Sequence, residues 1–206
     1  MITIIITGPS GSGKSYLSSR LSKLFSDSIV IKTDSYYRDS LLIRFLSIFL
    51  YDIYDRPLSI KKNQINKTIS SIYNKERLVS FYHYDFKRKQ SYQTKLPIKY
   101  NDKNQYLIIE GIFAHRLDLN YQKTINIVCE EEEDICFKRR IKRDLLERGR
   151  NTREVNNRFK RSWYLFYRNI QSHIKRNKII VLNPVDKISY DKLAMNLNYI
   201  SNKITK

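Results

Sequence analysis

Cysteine is the first scarcity. The chain has only Cys129 and Cys136, too few for a disulfide framework. Cys129 ends an apolar run and Cys136 falls in a helical pattern, so both are expected as reduced packing residues, which suits a cytoplasmic chain or the interior of an organelle. Glycine and proline are also scarce, 5 and 4 in 206 residues, which argues against a long flexible linker. No apolar run approaches the roughly 20 residues of a membrane span. The nearest, residues 41–51, is short and carries Arg44, so no membrane partner is expected. A first strand at the N-terminus leaves no visible signal or transit segment.

Acidic residues are in short supply: 20 Asp and Glu against 39 Lys and Arg, for a net charge of +19. Such a surplus admits a nucleic-acid partner. The cations are spread along a chain crowded with Lys, Asn, Ile and Tyr, however, with one cluster at residues 138–150. A protein that handles polyphosphates also gains from positive potential, so nucleic acid is not the expected main partner. At 41% hydrophobic, residues 1–206 suffice for one domain with its own core.

What is present begins with Gly8-Pro9-Ser10-Gly11-Ser12-Gly13-Lys14-Ser15, between the apolar run Ile2-Thr3-Ile4-Ile5-Ile6-Thr7 and a helical pattern of Leu17, Leu21, Leu24 and Phe25. Strand, glycine-rich turn, Lys-Ser and helix together predict a phosphate-binding loop. The glycines let backbone N–H groups point inward, and the helix start adds unpaired N–H groups and partial positive charge. Gly8, Ser10, Gly11, Ser12, Gly13, Lys14, Ser15 and Tyr16 are expected to hold the nucleotide, ATP or GTP. Lys14 would reach the β- and γ-phosphates, and Ser15 would ligate Mg²⁺. The predicted fold is α/β: a parallel sheet of the P-loop NTPase type flanked by helices.

Two acids stand where such a sheet places its ligands. Residues 28–32 read as a second parallel strand running into Thr33-Asp34-Ser35-Tyr36-Tyr37. Asp34 there suits proton acceptance from an attacking hydroxyl, or Mg²⁺; Thr-Asp-Ser is equally capping chemistry for a following helix. Tyr106-Leu107-Ile108-Ile109-Glu110-Gly111 reads as a buried strand whose Glu110 orients Mg²⁺ or its waters.

Residues 41–50 predict a helix packed on the sheet or a hairpin. Pro57 is expected to open the next helix, with Ile65, Ile69 and Ile72 as its buried stripe. The aromatic-acidic cluster before Pro57 suits a sugar, or is a packed surface loop. Residues 78–83 and 93–99 alternate as strands around Tyr84-Asp85-Phe86-Lys87-Arg88-Lys89. They predict a small antiparallel β-hairpin insertion, about 78–100, whose tip would lid a flat ring; otherwise it is an exposed basic hairpin.

A helix over 134–147 is predicted to turn Ile135, Ile141 and Leu145 to the core, with Arg140 and Arg143 on one face and Gly149 ending it. It belongs to an Arg-rich lid, about 138–158. Arginines there would neutralise charge developing on a transferring phosphoryl group, unless they form a solvated or RNA-binding face. A helix over 153–176 would bury Val155, Phe159, Phe166, Ile170 and Ile174, leaving His115 and His173 structural. A last strand over 178–182 and a terminal helix with Leu193 and Leu197 complete the pattern.

Taken in order, these pieces resemble the uridine kinase (uridine-cytidine kinase) family, relatives of phosphoribulokinase. The matching segments are the phosphate loop, Thr33-Asp34-Ser35-Tyr36-Tyr37, Tyr54-Asp55-x-Pro57, Tyr84-Asp85-Phe86, Glu110-Gly111-Ile112-Phe113, and Arg139-Arg140-x-x-Arg143-Asp144 with Glu147-Arg148-Gly149-Arg150. The resemblance implies ATP-dependent phosphorylation of uridine or cytidine at the 5′-hydroxyl. In it Asp34 is the base, Asp55 binds the ribose, Tyr84 and Phe86 hold the pyrimidine, and Glu110 lies near Mg²⁺. Arg140, Arg143, Arg148 and Arg150 surround the phosphates and nucleoside, with Lys14, Arg143 and Arg148 catalytic, and an assembly of copies is implied. Three places depart from the family pattern, one of them the absence near Leu165 of a proline expected in the helix over 153–176. Lys89 stands where the family has a base-contacting histidine, and Arg158 where it commonly has glutamine. Contacts to a buried polar edge discriminate substrates by powers of ten, so the two changed contacts, Lys89 and Arg158, open an alternative: the same transfer to another small alcohol, such as a sugar phosphate or vitamin precursor. A non-catalytic nucleotide- or RNA-binding role is the rival of a different class.

Overall fold

A computed structural model describes residues 1–25, 27–49, 53, 56–101, 105–117, 119, 123–176, 179–183 and 186–204. β1 (Ile2–Thr7), β2 (Ile29–Lys32), β5 (Tyr106–Glu110), β6 (Thr124–Cys129) and β7 (Ile179–Leu182) form one sheet in the order β2-β5-β1-β6-β7, all parallel. β3 (Leu78–Asp85) and β4 (Gln90–Pro97) form a separate antiparallel hairpin. The predicted α/β fold with its hairpin is the fold observed.

Alternation along the strands supplies both faces of the core. Ile5, Leu107, Ile109 and Val128 point to one side, where α3 (Lys62–Tyr73) brings Ile65, Ile69 and Ile72, and α5 (Thr152–Arg176) brings Phe166 and Ile170. Ile4, Ile6, Ile108 and Ile127 point to the other, against Leu17 and Leu21 of α1 (Lys14–Leu24) and Leu193 and Leu197 of α6 (Lys187–Ile204). A sheet covered on both faces is the usual state of parallel strands and explains their near-continuous apolar sequence. β1 lies at the centre between β5 and β6. Its carboxyl end is therefore the crevice where such sheets bind ligands.

The helix expected at 41–50 is present as α2 (Leu41–Phe49), which packs Ile43 and Leu46 on the core and leaves Leu41, Leu42, Phe45 and Phe49 exposed. Three expectations need correction. Pro57 opens only a 3₁₀ turn, Pro57–Ser59; Ile60 is then extended and bridged to Tyr37, so α3 starts at Lys62. β4 runs over Gln90–Pro97 rather than 93–99. α4 (Glu133–Arg148) buries Cys136, Arg140 and Asp144 rather than Ile135, Ile141 and Leu145. An ion cluster, and not an aliphatic stripe, is what this helix turns inward.

Ile108 is fully buried in β5 and registers with Ile4 and Val30 on its two neighbours. Ile108→Ala is expected to lower unfolding free energy by about 2–5 kcal/mol, read from urea denaturation, with the folded circular-dichroism spectrum unchanged.

Candidate active site

The loop after β1 turns on two glycines with positive φ, Gly11 (95°) and Gly13 (87°), and Gly13 caps α1. Both cysteines form its backing. A Cβ at Gly8 would sit 2.4 Å from the Cys129 carbonyl oxygen, and one at Gly11 2.4 Å from that of Cys136. Burial pushes the Cys129 thiol up to about 12 and that of Cys136 to about 11, so both are inert packing groups at neutral pH. Lys14 is buried and donates from Nζ to the Pro9 carbonyl at 2.8 Å. Burial pulls its pKa down against the attraction of Glu110 and Asp34.

Glu110 ends β5 beside it. The Ser15 hydroxyl donates to the Glu110 carboxylate, 3.1 Å from Oε1 and 3.0 Å from Oε2. Burial raises the Glu110 pKa, with Lys14 pulling the other way. A hydroxyl and a carboxylate at the phosphate end of a loop form a hard oxygen set. Among the described residues no three His, Cys, Asp or Glu side chains cluster as metal ligands. That combination fits Mg²⁺, which binds through one or two protein oxygens plus substrate phosphates and water.

Asp34 lies in the 3₁₀ turn Thr33–Tyr36 after β2, and its buried Oδ1 has no hydrogen-bond partner among the described residues. It lines a cavity of about 390 Å³ together with Lys14, Ser15, Glu110, Arg143 and Arg148. Tyr16 is exposed at the same cavity. Asp34 caps no α-helix; α2 starts seven residues later.

Above this cavity stands a feature the sequence pattern did not single out as a site. Asp144 is fully buried on α4 and gathers four guanidinium groups. Arg150 approaches Oδ2 at 2.7 Å, Arg143 approaches Oδ1 at 2.8 Å, and Arg148 and Arg140 stand at 3.6 and 3.7 Å. Burial alone would raise the Asp144 pKa, but Arg143, Arg148, Arg150 and Arg140 hold it below the usual carboxylate value. Arg143 also donates to the Ser10 hydroxyl at 3.1 Å, which ties the cluster to the phosphate loop. Arg140 is only 1% exposed and donates to Ser162 of α5 at 2.7 Å. It braces two helices and also lines the phosphate-side cavity. The signal for the cluster was legible: Asp144 is four residues from both Arg140 and Arg148.

Arg148 faces two ways. Its guanidinium lies 3.9 Å from the centre of the Phe86 ring on the hairpin tip. Phe86 and Arg148 both line the phosphate-side cavity and a neighbouring one of about 260 Å³. The second cavity collects Tyr84, Lys89, Arg150, Glu154 and Arg158. Tyr84 and Phe86 form an aromatic trio with Tyr37, at ring separations of 5.1–5.8 Å. Asp39 fixes the hairpin over the sheet, accepting from the Ser91 amide at 3.1 Å and pairing with Lys61 at 3.0 Å. Neither Tyr37 nor Asp39 was singled out in sequence. Asp55 lies outside the described residues.

The model of the phosphoribulokinase/uridine kinase family matches residues 3–188. The chain belongs to that family. A uridine kinase of Clostridium novyi (strain NT) is 30% identical over 157 residues, covering 75% of this chain and 73% of its own. Among solved structures, a possible uridine kinase from Bacillus stearothermophilus superposes with a TM-score of 0.57 at 15% identity, covering 88% of each chain. A D-glycerate 3-kinase from Cryptococcus neoformans superposes with a TM-score of 0.58 at 12% identity, covering 88% of this chain and 86% of that one. These likenesses share the fold of P-loop kinases. Membership of the kinase family makes this chain a phosphotransferase, and the family implies use of a nucleotide such as ATP.

Asp144→Asn is expected to cost about 3 kcal/mol at neutral pH, because it leaves the buried Arg140 and three partly buried guanidinium groups without their acid. The folded-state pKa of Asp144 is depressed, so its contribution is complete above the unfolded carboxylate value of about 3.9 and lost as pH falls through the folded one. Urea titrations should therefore show the gap between the two proteins full at pH 6 and closing below about pH 4.

Proposed function

We propose that the chain transfers the terminal phosphoryl group of ATP, with GTP as a further donor, to the 5′-hydroxyl of uridine or cytidine, a reaction of pyrimidine salvage. The observation that carries this reading is Asp34: a buried carboxylate oxygen without a partner among the described residues, in one cavity with Lys14, Arg143 and Arg148. Asp34 accepts the proton from the attacking hydroxyl. Lys14, Arg143 and Arg148 neutralise charge as the phosphoryl group moves, and the Asp144 cluster holds both arginines in place beforehand. Ser15 and Glu110 would hold Mg²⁺, which when bound screens the phosphate oxygens. Tyr84 and Phe86 offer ring faces to a pyrimidine, and Phe86 meets Arg148 where the acceptor side joins the phosphate side. Asp55 would bind the ribose hydroxyls.

A second reading is favoured by Lys89 and Arg158. Both line the 260 Å³ cavity with Lys87 and Arg150, and Glu154, paired with Arg158 at 2.7 Å, is the acid of that lining. Such a cavity suits an acceptor that already carries phosphate or carboxylate.

ADP release across an acceptor panel separates the two. Turnover with uridine or cytidine supports the nucleoside reading, and turnover confined to a phosphorylated sugar such as ribulose 5-phosphate supports the second. No turnover with any acceptor, together with salt-sensitive RNA binding, would defeat both. Asp34→Asn is expected to lower kcat by about a thousandfold, within the range for loss of a general base, while leaving ATP affinity near wild type by calorimetry. Near-normal turnover in that variant would refute the assignment of the base.

A further inference from the structure

The junction between β6 and α4 backs the phosphate loop at two points. Cys129, the last residue of β6, lies against Gly8, and Cys136, in the first turn of α4, lies against Gly11. Between these two points in the chain stands Glu131. Its side chain is only 6% exposed, and its Oε2 lies 3.1 Å from Nη1 of Arg139. Arg139 follows Cys136 by three residues, so the two share one side of the helix. The guanidinium reaches the same glycine that Cys136 backs: Nη1 donates to the Gly11 carbonyl at 3.1 Å. One nitrogen thus spans a buried acid and the turn of the loop, with an N–H for each.

The peptide it grips is one with freedom to turn. Gly11 has a φ of 95°, and a glycine moves between such a conformation and its alternatives at little cost. A Cβ there would collide with the Cys136 carbonyl oxygen, so a bulkier residue cannot stiffen the position. Phosphate loops bind through N–H groups that point inward, and a carbonyl turned onto phosphate oxygens would repel them. The Gly11 carbonyl is committed to Arg139, and the amide of the same peptide, Ser12 N–H, is bonded to the Pro9 carbonyl at 3.2 Å. The Gly11–Ser12 peptide is therefore held at both ends. Arg139 also lines the phosphate-side cavity, but Glu131 offsets its charge and holds it to the loop.

We propose that Arg139 is a positioning residue for the nucleotide: anchored by Glu131, it fixes the Gly11–Ser12 peptide so that the loop meets the phosphates already formed. A site ordered in advance binds more tightly because less freedom is lost on binding. Arg139 acts through the loop and not on the transferring group. The role rests on nucleotide use by the chain and is independent of which acceptor is phosphorylated.

The test is calorimetric affinity for ADP with Mg²⁺, measured without an acceptor. Binding by the wild-type chain checks nucleotide use itself, and its absence would end both readings. Glu131→Gln combined with Arg139→Met removes the clasp and leaves the net charge unchanged. Arg139 is half exposed, so the loss sits at the low end for a charged hydrogen bond: ADP affinity is expected to fall about tenfold. KM for ATP should rise by a similar factor, with kcat and the acceptor KM unchanged, and the Ser12 amide proton should exchange faster. Arg139→Gln alone should weaken ADP binding more than Lys138→Gln, an exposed neighbour that loses the same charge. Wild-type ADP affinity in the charge-neutral double variant would overturn the proposal, as would equal losses in the two single variants; Arg139 would then act by charge alone. A fall in kcat with ATP affinity intact would overturn it too, because that marks a group touching the transferring phosphoryl.

Discussion

One buried carboxylate holds the catalytic half of this molecule in shape. Four arginines crowd Asp144 on the inward face of α4. Like charges at such separations repel, and moving each guanidinium out of water carries its own cost. A single acid cannot neutralise four cations, so the cluster keeps a net positive charge. That surplus suits a site through which a polyphosphate passes. Asp144 converts what would be mutual repulsion into a fixed array, with Arg140 turned toward α5, Arg143 toward the phosphate loop and Arg148 toward the hairpin.

The array also joins parts of the chain that are distant in sequence. The phosphate loop reaches α4 twice, through Ser10 to Arg143 and through Gly11 to the backbone of Cys136 and the Arg139 side chain. The hairpin meets the same helix through Phe86 on Arg148. A cation over an aromatic face contributes about 0.5–2 kcal/mol, more when desolvated. Here both partners of the contact line the phosphate-side cavity and the neighbouring one. Movement of the hairpin tip is therefore felt at an arginine whose other partner is Asp144.

Much of this was legible in the sequence because local chemistry and period agree there. Residues 2–7, the glycine turn and Lys14-Ser15 can form little other than a strand, a phosphate loop and a helix start. The double-faced sheet follows from apolar strands separated by helices. What escaped the sequence was the use of charge as core. A helical wheel of α4 weights Ile135, Ile141 and Leu145 inward, but once four arginines share one acid, Cys136, Arg140 and Asp144 take the buried face. Arg140, expected at the substrate, also braces α4 against α5 for the same reason. Tyr37 and Asp39 escaped because their meaning comes from the hairpin about fifty residues away, through Tyr84, Phe86 and Ser91. No local pattern encodes a partner at that distance.

The central claim is that Asp34 and the arginines held by Asp144 converge on a hydroxyl delivered from beneath the hairpin. A crystal structure with a non-hydrolysable ATP analogue, Mg²⁺ and uridine tests it most directly. The account predicts the pyrimidine against Tyr84 and Phe86, and the 5′-hydroxyl within hydrogen-bond reach of Asp34 and in line with the γ-phosphorus. A nucleoside bound outside the hairpin cavity, or a 5′-hydroxyl facing away from Asp34, would contradict it.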